Sequence, residues 1–396
     1  MQIIIPDNLQ LDDLIIKNHP EFYAHLDKLY FIVSYIFFKS YSDRRFKKLS
    51  DLSKRAKRKL FVPINAEYLQ RICGANYYKN ILSLLLSEEI LETDNYYIPK
   101  QKSKAYRITE RFLYNKGKSY TIKDKKMIKR IKEKEKEVFT DLSEVNKQIF
   151  EMIKSRFTFD LDSAFKVSTQ QKKTKIINDK TFDYTYNQLI QLQNNNFYFS
   201  TSNKTNRVFH NYSNLKKDLR NFITHISGDR LIEIDIANSQ PFFLGCIISQ
   251  LEQKEDTMKF IEIVQNGKFY DYLRDNLSSD LRKEDILTML YCPTYWNLKH
   301  KDRFTELFPT VSKIITQIKG TDYKNLAIQL QSREATMILR IIAPKLLDEK
   351  IDFIPIHDSF LVRENDLQIV KSIINKCFYD KYKIVPTLKI KDEKSA

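Results

Sequence analysis

Two aspartates stand where an apolar strand ends, and each could do metal or phosphate chemistry there. The first is Asp235, in GDRLIEIDIANSQPFFLGCIISQ, residues 228–250. RLIEIDI alternates as a buried strand; NSQPFFLGCII starts with capping residues, places Pro241 in a first helical turn and continues as an apolar helix. A carboxylate at that junction loses hydration if the site is closed, and neither Lys nor Arg lies within four residues after it. A metal ion would supply the missing charge; a carboxylate that merely caps the helix is the alternative.

The second is Asp358, in FIPIHDSFLV, residues 353–362. IDFIPI and SFLV are strand-like, so His357 and Asp358 fall at the tip of a tight hairpin. Two strand-end aspartates from separate segments can share one end of a sheet. Such a pair suits two divalent ions roughly 4 Å apart, one lowering the pKa of an attacking hydroxyl and the other holding a triphosphate. A His-Asp pair with a purely structural role is the competing reading. Between the two aspartates lies LRKEDILTMLYCPTYW. In a helix Lys283, Leu287 and Tyr291 share one broad face, and Pro293 halts it. A cation and an aromatic on one face suit a phosphate tail and a base or sugar. An amphipathic helix with a snorkelling lysine would look the same.

The elements that must position these residues belong to a chain of 396 residues, 42% of them hydrophobic, enough for two or three cored domains. No apolar run approaches the roughly 20 residues that cross a bilayer. The start, MQIIIPDNLQLDD, has neither a basic leader nor a small-residue cleavage site, so a cytoplasmic protein is expected. Cys73, Cys246, Cys292 and Cys377 lack the spacing of a zinc site or disulfide framework and are expected as free thiols. A net charge of +17 points to a polyanionic partner, nucleic acid before an anionic membrane surface. The excess is clustered: Lys100 to Lys136 holds 15 Lys and Arg against 4 acids.

Residues 1–60 read as helical, with FYAHLDKLYFIVSYIFF as a buried helix. From 61 to 109, Asn65 caps AEYLQRIC, Gly74 ends it, NYYKNILSLLLSE forms a second helix, and EILET, YYIP and KSKAYRIT follow as short strands with a lysine-rich connection. That is the order of a winged helix, with Lys100, Lys102 and Lys104 in the wing; a small helical packing module is the alternative. Residues 120–157 form one or two long helices, partly solvated, and polar 178–206 reads as a loop-rich crossing into the last domain.

The ordered segments IEIDIANSQ, KEDILTMLY and IPIHDSFLV resemble motifs A, B and C of the superfamily of family A DNA polymerases and phage-type single-subunit RNA polymerases. Lys283 and Tyr291 have the family's spacing of eight. HDSF and the Thr of ILTMLY resemble the RNA polymerase branch; TNRVFHNYSNLKKDLR (205–220) and NLAIQ (325–329) resemble segments of the family A branch. The resemblance covers about 160 residues, Thr205 to Arg363. Three positions depart from the pattern. Cys292 replaces a Gly, Ser279 an Arg for which Arg282 could substitute, and Gln240 stands where DNA polymerases carry a sugar-discriminating Glu and RNA polymerases a Gly.

The resemblance implies an α+β, helix-rich fold: a polymerase-like palm with an antiparallel sheet and helical fingers over 205–396 and basic thumb-like helices over 110–204, preceded by the helical and winged-helix-like domain read above, over 1–109. It implies that Asp235 and Asp358 hold two Mg²⁺ ions, with Mn²⁺ as an alternative. Lys283 would steady the leaving phosphates, Gln240, Leu287 and Tyr291 would line the nucleotide, and His357 would neighbour the primer end. Arg207, Asn214 and Gln329 would contact primer or template. Expected partners are a DNA primer-template and nucleoside triphosphates, with RNA also admissible, no membrane, and a monomeric chain. No segment before 205 carries the acidic cluster of a proofreading exonuclease, and a basic front end on a minimal polymerase suggests plasmid, phage or mobile-element replication. The rival enzyme is an RNA polymerase or primase with the same site. A non-catalytic DNA-binding replication initiator is the rival of another class, and a nuclease using the same metals is a third.

Overall fold

A computed structural model describes residues 1–40, 60–98, 101–113, 115–251 and 254–391 of the chain. The fold is helix-rich with small antiparallel sheets, and no described helix is long and apolar enough to cross a membrane. It has two compact units, 1–142 with 159–197, and 143–158 with 198–396. The stretch 110–204 is thus shared between them.

The first unit opens on a strand where a helix was expected. β1 (Gln2–Pro6) pairs antiparallel with β5 (Gly117–Thr121). Three consecutive isoleucines, Ile3 to Ile5, are all buried, and β-branched side chains favour an extended backbone covered on both faces. A Cβ on Gly117 would lie 2.3 Å from Ile4 Cγ2, so only glycine fits at that end of the ladder. Helices α1 (Leu11–Asn18) and α2 (Leu26–Ser40) follow, α2 burying Leu29, Ile32, Val33, Ile36 and Phe37.

β2 (Val62–Pro63) leads into α3 (Ala66–Cys73), whose first turn is capped by Asn65 accepting from the Glu67 N–H at 2.7 Å. Gly74, at φ 95°, turns the chain into α4 (Tyr78–Ser87). β3 (Leu91–Thr93) and β4 (Ala105–Ile108) complete a sheet in the order β2-β4-β3. At the base of their connection the Asp94 carboxylate accepts from the N–H groups of Tyr96 and Ala105 at 3.2 and 3.1 Å. α5 (Lys125–Thr140), capped by Asp124, carries the mixed Lys/Glu stretch.

The chain then gives α6 (Glu144–Arg156) to the second unit and returns to the first with α7 (Leu161–Lys173) and α8 (Asp179–Gln193). α8 corrects the expectation of a loop-rich crossing over 178–206. Asn178 caps it through the Thr181 N–H at 2.9 Å, and Phe182, Leu189, Ile190 and Leu192 are buried. Polar composition hid this face because Asn187 is buried too, accepting from the Gly117 N–H at 2.5 Å.

In the second unit, β6 (Phe157–Phe159) pairs with β9 (Ile223–His225), and β7 (Phe199–Thr201) with β8 (Val208–His210). The main sheet is antiparallel, in the order β11 (Phe353–Ile356), β12 (Ser359–Arg363), β10 (Leu231–Ile236), β13 (Leu388–Lys391). After β10 comes α9 (Ser239–Ile248), buried almost all round, which is why its sequence lacks a polar stripe. Asn238 precedes it at φ 50° and makes no side-chain cap, contrary to the capping role read from the sequence. α10 (Phe269–Asn276) and α11 (Lys283–Tyr291) precede α12 (Lys324–Thr336). α12 runs into a π-helical stretch, Met337–Ile342. Pro344 follows it; its ring would meet the Arg340 carbonyl in an α-turn, and a widened turn makes room. α13 (Leu367–Tyr382) sets Phe378 against Phe242 of α9, ring centroids 5.3 Å apart.

Candidate active site

The register of the main sheet brings the two aspartates together. Asp235 is paired with Ser359, and the Ile236 N–H donates to the Asp358 carbonyl at 3.3 Å. They therefore occupy the same sheet end on adjacent strands. Burial raises the pKa of Asp235, and the nearby negative charge of Asp358 raises it further. The connection from β11 to β12 is the two-residue turn His357-Asp358, with His357 at φ 56°. Such a backbone disfavours most side chains, and here it aims the aspartate.

His210 pins that hairpin from beneath. Its Nε2–H donates to the Pro355 carbonyl at 2.9 Å while its Nδ1 accepts from the Ser213 N–H at 3.3 Å, so the ring is neutral. Burial pushes its pKa down to about 4. His357 is likewise pushed down to about 4, by burial first and then by the charges of Arg207 and Arg220. Its ring meets Phe209 edge-on at 5.5 Å.

Asp235 has a cationic partner that local sequence did not show. Lys391 of β13 stands opposite Glu233, and its Nζ donates to Glu233 Oε1 at 3.2 Å and to Asp235 Oδ2. The partner comes from 156 residues away, which is why a search of the neighbouring residues failed to find it.

A second acidic group missed by sequence reasoning is Glu334 on α12, 1% exposed. It receives Arg207 Nη2 at 2.6 Å, Gln240 Nε2 at 2.6 Å and Ser239 Oγ at 3.2 Å. Gln240 Oε1 in turn accepts the Tyr291 hydroxyl at 3.0 Å. Burial pushes Glu334 up to about 7; Arg207 opposes this and Asp358 adds to it. Its only sequence signal is a Glu three residues before the apolar run Met337–Leu339. The network joins Arg207, Gln240 and Tyr291 around one buried carboxylate.

Tyr270 on α10 links the parts. Its phenol is pushed up to about 12 by burial, then by Asp358 and Glu284. The exposed Lys283 ammonium lies 5.4 Å from its ring centroid. Leu287 is half-buried on the same helix as Lys283 and Tyr291. Arg282 is exposed and paired with Asp285 at 3.0 Å.

The other expected contact residues stand elsewhere or make other contacts. Asn214 is exposed and donates to the Tyr198 hydroxyl; Gln329 is exposed on a different face of α12 from Glu334. Lys102 and Lys104 lie in the first unit, Lys102 paired with Asp94 at 3.2 Å, and Lys100 lies outside the described residues. All four cysteines are buried free thiols, as expected. Among the described residues no group of three or more His, Cys, Asp or Glu is placed to hold a metal ion, so Asp235 and Asp358 form a two-carboxylate set.

No protein-family model matches the chain, and no curated protein matches it. Among solved structures it is similar to the POL domain of Pol1 from M. smegmatis, determined in complex with DNA primer-template and dNTP. The TM-score is 0.37 at 9% identity, over 67% of this chain and 65% of that one, a likeness too low to carry an argument.

Proposed function

We propose that this site extends a nucleic-acid primer with deoxynucleoside triphosphates, making the chain a minimal DNA polymerase. The observation that carries the reading is the shared sheet end of Asp235 and Asp358, beside the helix that presents Lys283 and Tyr291. In this reading the main sheet is the palm and α10 and α11 are fingers. The basic helices within 110–204 would play the thumb's part, gripping duplex phosphate through their lysines.

The carboxylate pair suits divalent cations. Two acidic groups on adjacent strands repel each other, and the pair already draws in a lysine ammonium. Mg²⁺ held by Asp235 and Asp358, with Mn²⁺ as an alternative, would neutralise triphosphate charge and make a hydroxyl a better nucleophile. The chain's own residues do the rest. Lys283, exposed and flexible, offers three donors to phosphate oxygens. Tyr291 supplies an aromatic face, and its hydroxyl is committed to Gln240. Gln240 has both amide ends taken, so it confronts a sugar as a wall rather than as a hydrogen-bond partner. His357, uncharged at neutral pH, adds no positive charge next to Asp358. Arg207, held by Glu334, is kept rigid for a primer or template contact.

The test is extension of a labelled primer-template in Mg²⁺, with dNTPs and rNTPs in parallel and an unprimed template beside them. Wild type should lengthen the primer with dNTPs, and Asp358→Ala, checked for folding by its melting curve, should not. A wild-type chain that adds neither nucleotide, or an Asp358→Ala variant as active as wild type, would sink the reading.

A further inference from the structure

The first unit carries a face that nucleotide transfer does not use. α3 meets α4 across the Gly74 turn, α4 packs on β3, and α2 lies against both α4 and the sheet. α4 buries Tyr78, Ile81, Leu82, Leu84 and Leu85 on one side. The opposite side presents Asn80, Ser83 and Ser87 at helical spacing, with Lys79 beside them and Asn76 in the turn just before the helix, all exposed. Among the described residues, the side chains of Asn76, Lys79, Asn80 and Ser83 have no hydrogen bond or ion pair.

Composition separates this face from an ordinary solvated one. Elsewhere, as on α5, the unit exposes charged side chains: Lys125, Lys126, Lys129, Lys132 and Glu133. On α4 it exposes amides and hydroxyls, the groups that both donate and accept and so can match base edges; Asn pairs with adenine in a bidentate way, and Ser with either partner. The ten residues of α4 span about 15 Å, a length that a major groove admits.

The surroundings suit a phosphate backbone. Lys28 Nζ lies 4.2 Å over the exposed Tyr77 ring at one end of α4. In the β3–β4 connection Tyr96 and Tyr97 are 53% and 57% exposed, Lys102 Nζ lies 4.0 Å over the Tyr96 ring, and Lys104 is exposed. The sequence's largest basic excess, Lys100 to Lys136, runs through the same unit.

We propose that this unit is a sequence reader for double-stranded DNA: α4 enters the major groove with Asn80 and Ser83 on base edges and Asn76, in the turn before it, alongside, while Lys79, Lys28, Lys102 and Lys104 hold phosphates. It gives the chain a means of choosing where it works, and it stands on observations separate from those of the nucleotide site.

The test uses the full chain and a pool of duplexes with a randomised centre, selected in EDTA without nucleotides. Wild type should enrich one sequence over the starting pool. Asn80→Ala with Ser83→Ala should lose roughly ten-fold or more of that preference while still binding the unselected pool. Lys79→Ala should weaken binding to every sequence alike, with a shallower salt dependence. All variants change exposed side chains, and equal melting curves would exclude misfolding. A wild type that enriches nothing, a double variant that enriches the same sequence as strongly, or tighter binding to the single strands than to the duplex would each overturn the proposal. Because selection needs no catalysis, its failure leaves the primer-extension result standing, and the reverse also holds.

Discussion

Tyr291 donates its hydroxyl to Gln240 Oε1 at 3.0 Å, and the same amide turns its Nε2 to Glu334 at 2.6 Å. Only one orientation of the amide satisfies both neighbours, since the carboxylate can only accept. Under the proposed function, this fixed glutamine, between the aspartate strand and the Lys283 helix, would be the wall beside the sugar. Gln240→Ala should therefore raise incorporation of rNTPs relative to dNTPs by roughly ten-fold or more, as expected when a steric wall is removed. Single-nucleotide extension under matched conditions reads this ratio, and an unchanged ratio means that Gln240 is not the wall.

Glu334 is the acceptor on which that arrangement depends. Removing it deprives the Arg207 guanidinium, the Gln240 amide and the Ser239 hydroxyl of their shared acceptor. Glu334→Ala should cost about 3 kcal/mol of stability in denaturant unfolding, the range for breaking a buried ion pair on one side. Glu334→Gln, which keeps one carbonyl acceptor, should cost clearly less. Equal losses would mean that volume, not hydrogen bonding, sets the value of this position.

These features differ in how visible they were in the sequence. Asp235 and Asp358 could be placed because the first lies near the end of an alternating apolar run and the second between two strand-like runs, and sheet register then does the pairing. The Lys283 helix was legible from its spacing and the Pro293 stop. Glu334 and Lys391 were not, because their partners are 94 and 156 residues away and no local pattern encodes such distances. α8 was missed for a different reason. Its inner face uses buried polar side chains such as Asn187, which a hydrophobic count scores as loop. β1 was missed because a lone strand whose partner begins at Gly117 carries no hairpin signal.

His210 predicts a pH dependence. Its folded pKa, about 4, lies below the ordinary histidine value of 6.5, so the unfolded chain binds the extra proton first as pH falls. Its contribution is complete above about 6.5 and is lost on acidification toward about 4, amounting to about 3 kcal/mol. His357 acts in the same direction. Glu334 acts in the opposite one, because a raised carboxyl pKa favours the folded state as pH falls from about 7 toward its ordinary value. Total stability therefore mixes opposed trends, and the informative quantity is a difference. His210→Gln retains a donor for the Pro355 carbonyl but does not titrate. Between pH 7 and pH 4.5 its stability in denaturant should fall by less than that of wild type. Parallel curves would show that His210 does not titrate on unfolding.

Lys391 competes with any cation that Asp235 and Asp358 would hold, because its ammonium already bonds Asp235 and lies opposite Glu233. Lys391→Met keeps the aliphatic stem and removes the charge, leaving the two aspartates to repel each other. In EDTA the variant should melt below wild type. Added Mg²⁺ binds the folded state only, so it should raise the melting temperature of the variant more than that of wild type, whose ammonium has first to be displaced. Asp358→Asn should blunt the Mg²⁺ response in both backgrounds. The experiment needs no primer or nucleotide, and identical Mg²⁺ responses in wild type and Lys391→Met would show that the lysine and the metal do not share a site.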